Sequence, residues 1–185
     1  GGLPSGENTH SIMLSGDSAV ITSEGKYVPE SGYNRRDKKM SEQPVKIVDI
    51  RPLILKLKDN DAKVRRSAAD ALGESGNIKA SERLLPILKD NDAYVRQAAA
   101  RSLGKLKAKD AVGALIDSTK DSDINVRSFS VWALGEIKDN NAIEPLAGLL
   151  LDKEEKIREQ SFEALRRFSD PIARRIMVKK LIDTA

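Results

Sequence analysis

The chain has 185 residues, of which 39% are hydrophobic, only 4% aromatic and 32% charged, with a formal net charge of +4. It has no cysteine, which excludes disulfides, thiolate metal sites and cysteine nucleophiles. A core so poor in aromatics has to be built from Ala, Leu, Ile and Val, and the abundance of Ala, Leu, Lys, Glu and Arg favours helix.

Residues 1–39 stand apart: they carry no period and contain Gly1, Gly2, Gly6, Gly16, Gly25 and Gly32. Met40 reads as a start, so residues 1–39 are expected to be an added leader or a flexible tail. The competing reading is a small hairpin around Ser11–Thr22, with His-Ser-Ile-Met-Leu and Ala-Val-Ile-Thr flanking Ser-Gly-Asp. The apolar run Ser11 to Leu14 is too short for a signal peptide or a membrane span. A soluble, cytoplasmic protein is expected. Residues 1–39 hold five acids and five bases, so the positive excess lies in residues 40–185, where it permits an acidic partner without demanding one.

From residue 49 the chain repeats itself. An offset of 31 aligns Val64-Arg65, Val95-Arg96, Val126-Arg127 and Ile157-Arg158 without insertion. Leu53, Leu84, Leu115 and Leu146 fall in the same register, as do Leu72, Leu103, Leu134 and Leu165. So do Asp59, Asp90, Asp121 and Asp152, and Ala80, Ala111, Ala142 and Ala173. The copies span about 49–79, 80–110, 111–141 and 142–170. Within the first, Leu53, Ile54 and Leu57 predict a helix near Ile50–Lys58. Asp59-Asn60-Asp61 breaks it, and Val64, Ala68, Ala71 and Leu72 predict a second helix near Ala62–Glu74. Gly73, Gly104 and Gly135 are expected to close the second helices. Pro52, Pro86 and Pro145 fall in or near the first turn of the first helices, with Pro86 late enough to kink its own. After Ser169-Asp170-Pro171, the residues Ile172, Ile176, Met177 and Leu181 predict a capping helix over 171–183.

The stretches RLLPILKDNDAYVRQAAARSLGKL and AIEPLAGLLLDKEEKIREQSFEALRRF resemble the short HEAT-like repeats of the phycobilin-lyase type, which also serve in designed helical scaffolds. The resemblance covers about residues 50–170 and implies an all-α fold. That fold is a right-handed α-α superhelix of four two-helix repeats plus a C-terminal capping helix, with second helices lining a concave side. One pair cannot bury its apolar face alone, so stability accumulates through interfaces between neighbours. The resemblance is specific for fold and not for function.

The recurrent Arg65, Arg96, Arg127 and Arg158 are read as servants of the repeat, close enough to the inter-helix aspartates for charge-assisted hydrogen bonds. Asp61, Asp92 and Asp123 stand where N-caps are wanted; Glu154 departs from the pattern, so the last loop should be held less tightly.

If recurring residues build the fold, function is expected where copies differ. The solvent stripe of the second helix reads Lys63, Arg66, Ser67, Asp70 and Glu74 in copy one, and Tyr94, Gln97, Ala98, Arg101 and Lys105 in copy two. It becomes Asn125, Ser128, Phe129, Trp132 and Glu136 in copy three, then Lys156, Glu159, Gln160, Glu163 and Arg167. Trp132, the single tryptophan, replaces Asp70, Arg101 and Glu163, with Phe129 one turn before it; Tyr94 replaces Lys63 and Lys156. Aromatics bounded by charges make binding hot spots, so Tyr94, Arg101, Lys105, Phe129, Trp132 and Glu136 form the candidate partner-binding set. Arg101 is expected over the Trp132 ring, whereas Phe162 and Phe168 align with core positions. Arg166, Arg167, Arg174, Arg175, Lys179 and Lys180 form a secondary basic patch.

No catalytic, metal or cofactor site is expected. Some HEAT-like proteins are metal hydroxylases built on repeated His-Glu pairs, but His10 is the single histidine here. No nucleophile elbow or phosphate loop appears. The expected function is a non-catalytic scaffold for a protein partner. The alternatives are an accessory resembling a bilin lyase and a weak nucleic-acid binder. Asp70, Glu74, Glu136, Glu159 and Glu163 dilute the positive charge a nucleic acid would require.

Overall fold

In the computed structural model, which describes residues 19–21, 27–29 and 49–182, every copy of the period folds as a helix pair. The first helices are α1 (Arg51–Lys56), α3 (Ser81–Leu84), α5 (Val112–Ser118) and α7 (Ile143–Gly148). The second helices are α2 (Ala62–Glu74), α4 (Ala93–Lys105), α6 (Ile124–Ile137) and α8 (Glu155–Arg166). A closing helix, α9, spans Pro171–Ile182. The first helices are short and continue into 3-10 turns. At Pro86 the α geometry gives way to a 3-10 segment, Leu85–Lys89, because the ring removes an amide and crowds the preceding turn.

The chain divides into two units, Gly1–Ile47 and Val48–Ala185. In the first, β1 (Ala19–Ile21) pairs antiparallel with β2 (Tyr27–Pro29), placing Val20 opposite Val28. The Ala-Val-Ile strand thus pairs forward along the chain, while His10–Leu14 lies outside the described residues.

In the second unit α2, α4, α6 and α8 stack side by side, with the first helices forming a second layer. Leu72, Leu103, Leu134 and Leu165 are sealed between the layers, as are Leu84, Leu115 and Leu146. Full burial of each such leucine contributes about 1.5–3 kcal/mol. Leu53 and Val64 remain half-buried, unlike their counterparts in the later copies. In α9, Ala173 is buried and Ile176 and Met177 lean on the core. Ile172, expected on that inner face, is instead 56% exposed. Asp170 caps the helix, its Oδ1 accepting from the Ile172 amide at 2.8 Å.

The second helices begin as their aspartates dictate. Asp61, Asp92 and Asp123 each accept a backbone amide two residues on, at 2.8 Å in every case. Glu154, one methylene longer, makes no side-chain cap. They do not end at their glycines, as the sequence suggested. α2, α4 and α6 run past Gly73, Gly104 and Gly135, all of which are buried. These glycines mark where successive second helices nearly touch. A Cβ on Gly73 would stand 2.6 Å from Ser102 Cβ, one on Gly104 2.8 Å from Ala133 Cβ, and one on Gly135 2.9 Å from Ala164 Cβ. The turning position falls later, at Lys138 (φ 56°) after α6.

The recurrent arginines clamp copy to copy. Arg65 Nη1 donates to the Asp59 and Asn60 carbonyls of its own loop at 2.9 and 3.0 Å. Its Nε and Nη2 donate to the Asp90 carboxylate of the next copy, both at 2.8 Å. Arg96 repeats this with Asp90 and Asn91 carbonyls and the Asp121 carboxylate. The inter-helix aspartate is therefore met by the arginine of the preceding copy. Arg127 keeps its loop contacts to Asp121 and Ser122 but makes no ion pair with Asp152, so the seam between copies three and four lacks this rung. Burial of the rungs matters: exposed ion pairs contribute about 0–1 kcal/mol, and bidentate, partly buried ones more.

Two measurements check this account. Gly104→Ala should destabilise the fold by about 1–3 kcal/mol in urea unfolding, since backbone has to move. Gly113→Ala, where a Cβ meets nothing within 4 Å, should be neutral or stabilising. Acid should weaken the rungs. The Arg65 hydrogen bonds hold the Asp90 carboxyl below its ordinary value. Burial pushes the Asp121 carboxyl up, but Arg96 and the Asp123 amide outweigh it and leave it lowered. A carboxyl depressed in the folded state lends stability that is complete above the ordinary aspartate range and lost as pH falls through the depressed value. Stability measured from pH 6 downward should therefore drop below about pH 4, and Asp90→Asn should flatten that limb while lowering stability at pH 6.

Candidate functional site

The stripe on which the copies differ runs across α2, α4, α6 and α8 and is laced from copy to copy. Asp70 pairs with Arg101 at 2.5 Å and Glu74 with Lys105 at 2.5 Å. Glu136 pairs with Arg167. Lys156 Nζ donates to Asn125 Oδ1 at 3.1 Å. The Arg66 guanidinium lies 5.5 Å above the centre of the Tyr94 ring, and that of Arg101 lies 5.5 Å above Phe129. Arg101 therefore covers Phe129 and not Trp132, as had been expected: the ring one turn earlier on α6 is the one facing it.

Three residues of the candidate set are thus engaged within the chain, since Arg101, Lys105 and Glu136 each hold an opposite charge 31 positions away. The sequence reading missed these pairs, although opposite charges at the repeat offset are the signal that could have found them. The stripe is also narrower than the sequence suggested, because Ala98 and Ser128 are buried. Tyr94 is 62% exposed. Phe129 and Trp132 are half-buried and lean on the core. Phe168 is core, and Phe162 packs on the core from a half-buried position.

Trp132 is held from one side. The edge of its ring lies over Gly104 of α4, where a Cβ would meet Cζ3 at 2.7 Å. On the other side opens a cleft that it shares with Glu159, Gln160, Glu163, Ala164 and Arg167 of α8 and its end. The Gln160 Oε1 atom is buried without a hydrogen-bond donor, as is Ser161 Oγ. Sequence reading gave Gln160 no role, because its conflict is a matter of packing.

The secondary basic patch is split. Arg166 pairs with Glu163 at 2.9 Å and Arg167 with Glu136, leaving Arg174, Arg175 and Lys179 exposed along α9. Among the described residues no group of three His, Cys, Asp or Glu side chains is placed to hold a metal ion. None of their helices is long and apolar enough to cross a membrane.

Comparison with known proteins follows the same geometry. The model of HEAT repeats matches residues 50–122, 81–166 and 113–184. No curated protein sequence matches the chain. Among solved structures it is similar to the complex of CpcE and CpcF of phycocyanin lyase from Nostoc sp., with 29% identity and a TM-score of 0.58 over 70% of this chain. It spans 56% of that chain. It is similar to human deoxyhypusine hydroxylase, with 26% identity and a TM-score of 0.58 over 68% of this chain and 45% of that one. An engineered protein, 24% identical with a TM-score of 0.59 over 72% of this chain and 68% of its own, shares the fold. The unbroken period, the stacked helix pairs and three overlapping matches agree: the chain belongs to the HEAT repeat family.

Proposed function

We propose that the chain is a non-catalytic protein-binding scaffold that receives its partner along the second helices of copies two to four. Tyr94, Phe129 and Trp132 serve as anchors, with Arg101, Lys105 and Glu136 as a pre-ordered charged border. The observation that carries this reading is the substitution of aromatics, in two adjacent copies, at stripe positions that sister copies keep polar or small. Tyr94 in particular keeps 62% of its surface in solvent, with the Arg66 guanidinium over its ring. Side chains already fixed by ion pairs lose little freedom on binding, which favours affinity.

The likeness to phycocyanin lyase supports a second reading, an accessory subunit in bilin attachment with Trp132 and Phe129 against the chromophore. An absorbance shift when a bilin is added to the pure chain would favour that reading over the first.

The scaffold reading is tested by retention of partner from native extract on the immobilised chain. Tyr94→Ala should weaken retention by about 1–2 kcal/mol, as loss of an aromatic anchor does. Its unfolding free energy should stay within about 0.5 kcal/mol of wild type, the usual range for exposed substitutions. Arg83→Ala and Glu144→Ala, exposed on the first-helix layer, should leave retention intact. Equal loss from both layers, or none from the stripe, would sink the proposal.

A further inference from the structure

The seam between copies three and four differs from the two before it in several independent ways. It lacks the arginine rung, since Arg127 does not reach Asp152. Its second helix starts without a side-chain cap. It buries Gln160 Oε1 with no donor, and it opens the cleft beside Trp132. An unpaired buried carbonyl is costly, so a chain keeps one where something else satisfies it.

At the earlier seams cations meet aromatic rings. Between copies one and two, Arg66 lies over Tyr94; between copies two and three, Arg101 lies over Phe129. In both cases a guanidinium from one copy covers an aromatic ring of the next. At the third seam the ring beside the cleft is Trp132, which belongs to the earlier copy and not the later one, and among the described residues no cation lies over it. Arg167, which also lines the cleft, is paired with Glu136, and Arg166 is paired with Glu163. Glu159 lines the cleft with no ion pair of its own among the described residues.

We infer that the cleft between α6 and α8 is a binding subsite for an arginine side chain of the protein partner, its guanidinium stacked on Trp132 and donating to Gln160 Oε1 and the Glu159 carboxylate. The inference rests on the scaffold reading and specifies what that partner must present. A guanidinium suits the place better than an ammonium because it is planar, stacks on an aromatic face and offers donors in more than one direction. Gln160 is half-buried and lines the cleft, but its oxygen is buried, so binding requires its amide to turn toward the incoming donor.

Trp132 is the chain's single tryptophan, so its emission reports on this cleft alone. The probe is a capped peptide with one arginine flanked by glycines, titrated into the full chain. Its control carries citrulline, which keeps the shape and removes the charge. The arginine peptide should change the Trp132 emission saturably, and the citrulline peptide should bind about tenfold more weakly. Glu159→Gln should weaken the arginine peptide about fivefold. Gln160→Leu should raise the thermal midpoint, because it removes the stranded oxygen, and should weaken the peptide at the same time. An unchanged emission, equal binding of the two peptides, or full binding by Glu159→Gln would overturn the inference. If the peptide fails while stripe-dependent retention persists, only the arginine subsite falls. If the peptide binds while Tyr94→Ala leaves retention intact, the scaffold reading falls and the cleft remains an arginine site.

Discussion

The second unit depends on how one helix pair is fastened to the next. Each recurrent arginine is gripped on one side by carbonyls of its own loop and, in the first two seams, reaches with its other nitrogens for the aspartate of the following copy. That aspartate also accepts the amide two residues on, in its own loop, so one carboxylate fixes a loop and a seam together. At the opposite end of the same helices, glycine against serine or alanine allows backbones to approach closely enough for the leucines between the layers to be sealed. Polar clamp and close approach work in the same register at the first two seams, and close approach alone continues at the third.

Variation is confined by these demands to the outer stripe, and even there much of it is mortar. Asp70 with Arg101 and Glu74 with Lys105 show that differences between copies can be complementary changes across a seam, with no outside partner involved. What remains after those pairs are removed includes an exposed tyrosine, a half-buried phenylalanine and tryptophan, and a glutamine whose oxygen has no donor. Residues that the fold itself does not account for are better guides to recognition than differences as such.

The helix pairs, the caps at Asp61, Asp92 and Asp123, and the closing helix were legible in the sequence because each follows from local rules of spacing and hydrogen bonding. The glycines were read by the same local rule and misplaced, since Gly104 answers to Ala133 and Trp132, which lie a full copy away. The same holds for Arg101, whose ring partner is Phe129: the offset of 28 depends on how two helices lean, which no single-helix pattern records. In α9, Ile172 looked like part of the inner face, yet Ala173, which stands in register with the buried Ala80, Ala111 and Ala142, takes that place. The aromatic stripe could be found from the sequence; Gln160 could not, because burial without a donor exists only in three dimensions.

The missing third rung carries one more consequence. In a stack held by nearest-neighbour contacts, cooperativity passes only through the joints, and the weakest joint decides which segment frays as a unit. Helices α7, α8 and α9 hang on the α6 side through a joint that has lost its clamp, so opening there would release the whole C-terminal third together. Anything that bridges Trp132 and α8 acts as a latch, and the order it imposes reaches every element beyond the joint, including those it never touches.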